Sequence, residues 1–350
     1  MGRIQCVHSY QSIISVENLL LAWREFVRGK KQKKDVQEFS LRLMDNILKL
    51  HTELSDKTYT HGTYEAFNIS DPKPRNIHKA LVRDRLVHHA LYRVLYPFFD
   101  RIFISDSFSC RKYKGTHRAL NRFREFGRKV SYNNTRTCFV LKCDVRKFFA
   151  SIDQSILIKI LQKYIPDTGV LNLLKNIIGS FHSTTVDKGL PLGNLTSQLL
   201  VNVYMNEFDQ YVKHTLKAKH YIRYADDFVI LSHDKKHLEE TLHYPPECSR
   251  AGIAVFLHER LKLELHPDKV YIKTLASGVD FLGWVHFPDH RVIRTTTRRR
   301  MWKRIAETSR KRETVASYLG LLSHGNGRKL QQEIIRTSSS ANDKLTLSDQ

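Results

Sequence analysis

The run Tyr224-Ala225-Asp226-Asp227-Phe228-Val229-Ile230-Leu231 sets two adjacent aspartates inside a stretch of apolar β-formers. The pattern predicts two strands around a tight turn, with the carboxylates at the turn. Like charges held side by side repel, and burial makes the repulsion costlier. A pair of Mg2+ ions would compensate them, because Mg2+ takes a few carboxylates and leaves its other positions to water and phosphate oxygens. Taken alone, the pair reads equally well as an ordinary turn.

A third carboxylate from another strand would complete such a site. The run Thr137 to Asp144, TCFVLKCD, predicts a buried strand ending in a carboxylate, which makes Asp144 the best-placed donor. Two metal ions roughly 3.5–4 Å apart can activate a 3′-hydroxyl on one side and stabilise leaving pyrophosphate on the other. Between strand and hairpin, helical spacing predicts a helix from Ser197 to about Lys213. Strand, helix and hairpin in one region imply an α+β fold with an antiparallel sheet, not a doubly wound one.

Charge narrows the partners. The chain carries 58 Lys plus Arg against 35 Asp plus Glu, a formal net charge of +23, and a balance that basic repels itself unless a polyanion binds. Nucleic acid is the natural candidate, although charge alone fits a ribosome-associated or merely basic surface protein as well. With 350 residues, 41% of them hydrophobic, the chain can bury a core shared by two or three sub-domains. Cys6, Cys110, Cys138, Cys143 and Cys248 form no C-x-x-C pair and no zinc-ligand spacing, so reduced thiols are expected. The start lacks a signal-peptide core, and no run approaches the ~18 apolar residues of a membrane span. A soluble, cytoplasmic protein without membrane partners is expected.

Along the chain, Phe39, Leu43, Ile47, Leu50 and Leu54 recur at helical spacing and predict one amphipathic helix from Asp35 to Leu54. Two prolines exclude a helix from Ile69 to Asn76, an extended or turn segment that exposes Lys73 and Arg75. Helical period resumes from Ile77 to Leu95, with Lys79, Arg83, Arg85 and His88 among the apolar residues. A basic loop followed by a basic helix reads as a phosphate-facing surface or as a solvated face. Between Arg294 and Arg312 there are nine Lys or Arg and one acid, Glu307, which predicts a separate basic helical module. From about Thr337 the Ser-, Asn- and Asp-rich composition predicts disorder.

Taken together, these residues resemble the reverse transcriptases, whose palm carries a Tyr-x-Asp-Asp hairpin after an earlier strand ending in Asp. The resemblance runs from about Asp71 through Gly283 in the family's order. It implies a right-hand polymerase fold. The expected division is an N-terminal helical region (1–70), fingers (71–136), a palm with an interleaved fingers segment and primer grip (137–285), a small basic helical thumb (286–336) and a tail (337–350). It implies Asp144, Asp226 and Asp227 as ligands of two Mg2+ ions, with Mn2+ able to substitute, and template RNA, an RNA/DNA hybrid and deoxynucleoside triphosphates as partners.

The same resemblance implies further roles. Phe149, five residues after Asp144, stands where the family crowds a ribose 2′-hydroxyl, and it reads equally as a core aromatic. Lys73 and Arg75 match the basic finger residues that hold a triphosphate, with Arg83 and Arg85 as assistants. Lys269 in HPDKVYI stands where a lysine can protonate pyrophosphate, against a plain surface lysine. Phe281-Leu282-Gly283-Trp284 resembles the primer-grip turn, where glycine allows close approach to a backbone. Arg298, Arg299, Arg300, Lys303 and Arg304 would contact nucleic acid.

Gly189-Leu190-Pro191-Leu192-Gly193-Asn194-Leu195-Thr196-Ser197-Gln198 departs from the commoner family form, which has Gln before the Gly and Pro after the Ser. With Leu192, Gly193 and Gln198 in the nucleotide-binding segment, it looks like the diversity-generating retroelement reverse transcriptases. Apolar Leu192 removes hydrogen bonds that an amide would make, which implies lower fidelity, in that group at template adenines. The runs Asp84–Leu91 and Phe103–His117 resemble the fingers of that subgroup, which works with an accessory variability protein. Antiviral-defence reverse transcriptases share the palm and, in some groups, the Leu-Gly-x-x-x-Ser-Gln form. A catalytically inactive RNA-binding palm is the alternative from another class, and three retained aspartates count against it.

Overall fold

The computed structural model describes residues 4–70, 74–243, 251–308 and 311–346, with side chains through Thr337. The N-terminal region is helical: α1 (Tyr10–Ile14), α2 (Val16–Phe26), α3 (Lys34–Leu41) and α4 (Leu43–Ser55). The single helix expected over Asp35–Leu54 is thus two, because Arg42 leaves helical geometry at φ −124°, ψ 48°. The Asn46 side-chain amide closes the break by donating to the Phe39 carbonyl at 2.9 Å. Val36, Ile47, Leu50 and Leu54 are nevertheless all buried, so the apolar stripe survives the break.

Strands β1 (Tyr64–Ile69) and β2 (Arg75–Ala80) form an antiparallel hairpin, with Ile69 opposite Arg75. Of the proline-bearing segment, Ile69, Ser70 and Pro74 to Asn76 are described and are non-helical as expected; Asp71, Pro72 and Lys73 lie outside the described residues. Helix α5 (Val82–Ile102) starts later than the periodicity from Ile77 predicts, since Ile77 to Ala80 pair with β1. A strand and a helix that share apolar spacing are not separated by periodicity alone.

After α6 (Thr116–Val130) comes β3 (Phe139–Asp144), followed by α7 (Phe148–Ser151), α8 (Gln154–Gln162), α9 (Thr168–Gly179) and α10 (Leu195–Gln210), which ends in a π-turn at Tyr211–Thr215. Then follow β4 (Tyr221–Tyr224), β5 (Asp227–Ser232), α11 (Lys235–Leu242), α12 (Ile253–Leu261) and β6 (Tyr271–Thr274). The sheet order is β4-β5-β3-β6 with every pair antiparallel, the α+β arrangement expected. Strand alternation splits its side chains between two cores. Leu141, Cys143, Phe228 and Ile230 pack into the large core with α5, α8 and α10, whereas Val140, Val229, Leu231 and Ile222 pack against Phe123 and Phe126 of α6.

A third sheet, β7 (Val279–Phe281), β8 (Trp284–His286) and β9 (Arg291–Ile293), leads into α13 (Thr295–Glu307), α14 (Arg312–Leu322) and α15 (Arg328–Thr346). A third core of Trp284, Ile293, Met301, Ile305, Leu322 and Ile334 joins these helices to the sheet. The region expected to be helical from 286 therefore opens on β-structure, and its helices begin at Thr295. Backbone helix also reaches Thr346, across residues expected to be disordered; extending an existing helix costs far less than nucleating one.

Candidate active site

Antiparallel register sets Asp144 of β3 directly opposite Asp227 of β5. Tyr224 pairs with Asp227, so Ala225 and Asp226 form the two-residue turn between β4 and β5. Ala225 lies at φ 58°, a conformation costing an L-residue on the order of 1–2 kcal/mol. The Asp226 carbonyl accepts from the Val145 N–H at 3.1 Å, which ties the turn to the end of β3. The three aspartates expected at the site are therefore brought together by strand pairing.

Two lysines face these acids. A 3-10 turn at Pro267–Lys269 is anchored where the His266 N–H donates to the Asp144 carbonyl at 2.8 Å, and it brings Lys269 Nζ to 2.9 Å from Asp144 Oδ1. Lys142, two residues before Asp144 on the same face of β3, sets its Nζ 3.0 Å from Asp227 Oδ1. Lys142 went unnoticed in the sequence; the available signal was a lysine alternating with an aspartate in an otherwise apolar strand. Burial, followed by the charges of Asp144 and Asp226, pushes the Asp227 carboxyl up to about 6 against the pull of Lys142. Burial and the Asp144 charge raise Asp226 as well.

Among the described residues no three His, Cys, Asp or Glu side chains are already gathered as a metal site. The donor set nevertheless suits a hard divalent cation: all-oxygen ligands on two paired strands and their turn, held at a cost in mutual repulsion that such a cation would relieve.

Strand β2 and the loop before α10 converge on this region. Arg75 is exposed on β2, and its charge acts on Asp226. The His78 N–H of the same strand donates to the Leu192 carbonyl at 2.9 Å, and the Asn194 amide donates back to the His78 carbonyl at 2.9 Å. Gly193, at φ 105°, lies so close to Ile77 that a Cβ would meet its Cγ2 at 2.8 Å. Phe149 is half-buried, edge-on to Phe148 at 5.7 Å, and its carbonyl accepts from the Leu190 N–H at 2.9 Å. Leu192 and Gln198 are half-buried.

Arg83 and Arg85 point elsewhere, contrary to expectation. Arg83 pairs with Glu53 at 3.1 Å and Arg85 with Asp35 at 2.5 Å, so both brace α5 against the N-terminal helices. In the Phe281–Trp284 run, Leu282 and Gly283 both have positive φ, 52° and 84°, the backbone of a two-residue hairpin turn of the I′ kind. Phe281 itself is buried and stacks on Phe123 at 5.5 Å, so the turn is the less buried part of that run. On α13, Met301 and Ile305 are buried while Arg298, Arg299, Lys303 and Arg304 are exposed and Arg300 is half-buried. The amphipathic turn of this helix leaves its cations outward.

A model of the family described as reverse transcriptase (RNA-dependent DNA polymerase) matches residues 70–286, well over half of the chain. The chain belongs to the reverse transcriptase family. This reverse transcriptase is 27% identical over 265 residues to protein YkfC of Escherichia coli K12, an alignment covering 65% of this chain and 66% of that one. It is 22% identical over 333 residues to the group II intron-encoded protein LtrA of Lactococcus lactis, covering 74% of this chain but only 52% of that protein. Among solved structures, telomerase from Candida albicans, determined with a fragment of telomeric RNA, aligns with a TM-score of 0.49 at 12% identity, covering 68% of this chain and 46% of the other. In this reverse transcriptase Asp144, Asp226 and Asp227 occupy the strand end and hairpin singled out in the sequence.

Proposed function

We propose that the chain is an RNA-directed DNA polymerase that copies a structured template RNA into cDNA. The observation that carries this reading is the register pairing of Asp144 with Asp227, with Asp226 in the intervening turn and a lysine on each side. Asp144, Asp226 and Asp227 would hold two Mg2+ ions, or Mn2+ in their place, which supply a more acidic primer 3′-hydroxyl and charge stabilisation for departing pyrophosphate. Arg75, together with Lys73, would draw in and orient the triphosphate by charge-assisted hydrogen bonds. Lys269, once Asp144 is otherwise engaged, has an ammonium free to hand a proton to the leaving pyrophosphate. Phe149 would crowd a 2′-hydroxyl and so favour deoxynucleotides. The Leu282–Gly283 turn would hold the primer, and the outward cations of α13 the RNA/DNA hybrid by phosphate contacts.

The finer reading is a diversity-generating type, error-prone at template adenines, with an accessory variability protein as partner. It is supported by Leu192 in the loop stitched to β2, where an apolar side chain replaces an amide. Antiviral defence is the competing role. Among the described residues no helix is long and apolar enough to cross a membrane, and a cytoplasmic location is proposed with the rest.

The test is primer extension on an RNA template with Mg2+ and deoxynucleotides, sequenced beside Asp226→Ala. Aspartate-dependent cDNA rich in errors opposite adenine supports the full proposal. Accurate cDNA removes the diversifying role and favours defence. No product, even with the native RNA and accessory protein present, removes the polymerase reading.

A further inference from the structure

A second cationic site lies at the other end of the palm sheet. Leu275, Arg124, His286, Arg291 and Asn326 are among the residues lining a cavity of about 450 Å3 between α6, the β8–β9 turn and the α14–α15 connection. Register sets Thr274 opposite Phe139, the first residue of β3, whereas Asp144 is the last. Five residue steps at about 3.3 Å each separate the two ends by roughly 17 Å.

Among the described residues the Arg291 guanidinium has no counter-ion. Its Nε donates to the His324 carbonyl and its Nη2 to Asn121 Oδ1 at 3.1 Å, both neutral acceptors, while its Nη1 is buried with no hydrogen-bond partner. Among the described residues no carboxylate lies within ion-pair distance of either Arg291 or Arg124, and the two cations disfavour one another. The fully buried His286 adds an Nε2 with no partner to the same lining. One acid, Asp289, also lines the cavity, and its carboxylate is engaged by His290 Nδ1 at 2.7 Å. The Arg291 guanidinium also lies over the Trp284 ring at 5.8 Å, and beside Arg124 it forms a pair of cations that an anion would neutralise.

An adjoining cavity of about 610 Å3 shares Asn121 and Arg124 and adds Arg128, Lys129 and Tyr132. Its one acid, Glu125, is taken up by Arg122 and Lys129 at 2.8 and 2.7 Å. Tyr132 is 60% exposed. Phosphate-binding cations next to an exposed aromatic ring are how proteins hold single strands without reading sequence.

We propose that Arg124 and Arg291 form a phosphate site for a single-stranded RNA segment, separate from the polymerisation centre. Tyr132 and Arg128 extend this site along α6. Its use is to retain template RNA outside the cleft, so the inference rests on the RNA-copying reading above.

The test uses the full chain saturated with a short primer–template duplex, which fills the cleft, titrated with a fluorescent oligouridylate. Among the described residues the Arg124 side chain makes no hydrogen bond, so Arg124→Gln keeps the fold; Arg291→Lys tests the fork while keeping the charge. Each variant is expected to lose about five- to tenfold in oligouridylate affinity. In Arg124→Gln the slope of log affinity against log salt should fall by about 0.7. Extension of the short duplex should stay within about twofold, which reads the polymerase independently of this site. Unchanged affinity and slope in both variants overturn the proposal. So does stabilisation by inorganic phosphate that disappears in Arg124→Gln while oligouridylate binding persists, since the site would then serve a free anion. Loss of a glutamate-rich peptide's binding without loss of RNA binding would make it a protein-docking site and overturn it equally.

Discussion

The guanidinium of Arg223 grips the carboxylate of Asp209 with two hydrogen bonds, Nε to Oδ1 at 2.7 Å and Nη2 to Oδ2 at 2.6 Å, and both side chains are wholly buried. Arg223 also donates to Ser107 Oγ at 3.1 Å, to Asn202 Oδ1 at 3.2 Å and to the carbonyl of Ala225 at 3.2 Å. One side chain thus links the Ser107 segment before α6, α10 and the strained turn that carries Asp226. Asp209→Ala leaves a buried cation unpaired and is expected to cost about 3–5 kcal/mol in urea unfolding. Arg223→Lys keeps the charge but loses the fork, so kcat should fall by more than KM rises. Unaltered kcat in a folded Arg223→Lys would show that the pair only stabilises.

Replacing Asp226 with Ala is expected to lower primer extension by at least about a thousandfold, since under the proposed function it removes a metal ligand on which the chemical step depends. RNA affinity should stay within about twofold, because the phosphate contacts are proposed to come from α13. Joint loss of folding, seen by circular dichroism, would make the turn acid structural.

Phe149 is packed between its neighbours and is expected to act as a steric gate. Phe149→Val should raise ribonucleotide incorporation by about one to two orders of magnitude with deoxynucleotide kcat little changed, measured by single-nucleotide extension with each sugar. An unchanged sugar preference would return Phe149 to the core.

Leu192→Gln restores an amide beside Gly193. It is expected to reduce misincorporation opposite template adenine about threefold or more, read by sequencing of cDNA. An identical error spectrum would detach fidelity from this position.

Stability should fall in acid partly through His286. Burial, and then the charge of Arg291, lowers its imidazole to about 3 from an ordinary 6.5. The unfolded chain therefore takes up a proton that the folded one refuses, and stability declines as pH falls from about 6.5 toward 3. Between pH 7 and 5 this group contributes a loss of roughly 2 kcal/mol, and His89, lowered to about 4, acts in the same direction. His286→Leu should flatten the decline in urea midpoints by about that amount. An equally steep decline in the variant would mean that His286 is not held neutral.

The sequence by itself determined the features made by neighbours in the chain. Strand alternation ending in Asp144, the apolar run that places Asp226 and Asp227 at a turn, and the prolines that forbid a helix around Lys73 all act within a few residues. Each could therefore be read directly. Periodicity mistook Ile77 to Ala80 for helix and ran one helix through Arg42, because pairing with β1 and the bond from Asn46 to the Phe39 carbonyl enter only when segments meet. Tertiary structure alone decided which charges act together. It gave Lys142 to Asp227, turned Arg83 and Arg85 to Glu53 and Asp35, buried Arg223 on Asp209, and left Arg291 beside Arg124 with no counter-ion among the described residues. Hydrophobic spacing is a local property of the chain, whereas the partner of a buried charge is whichever group the folded backbone delivers within a few ångströms of it.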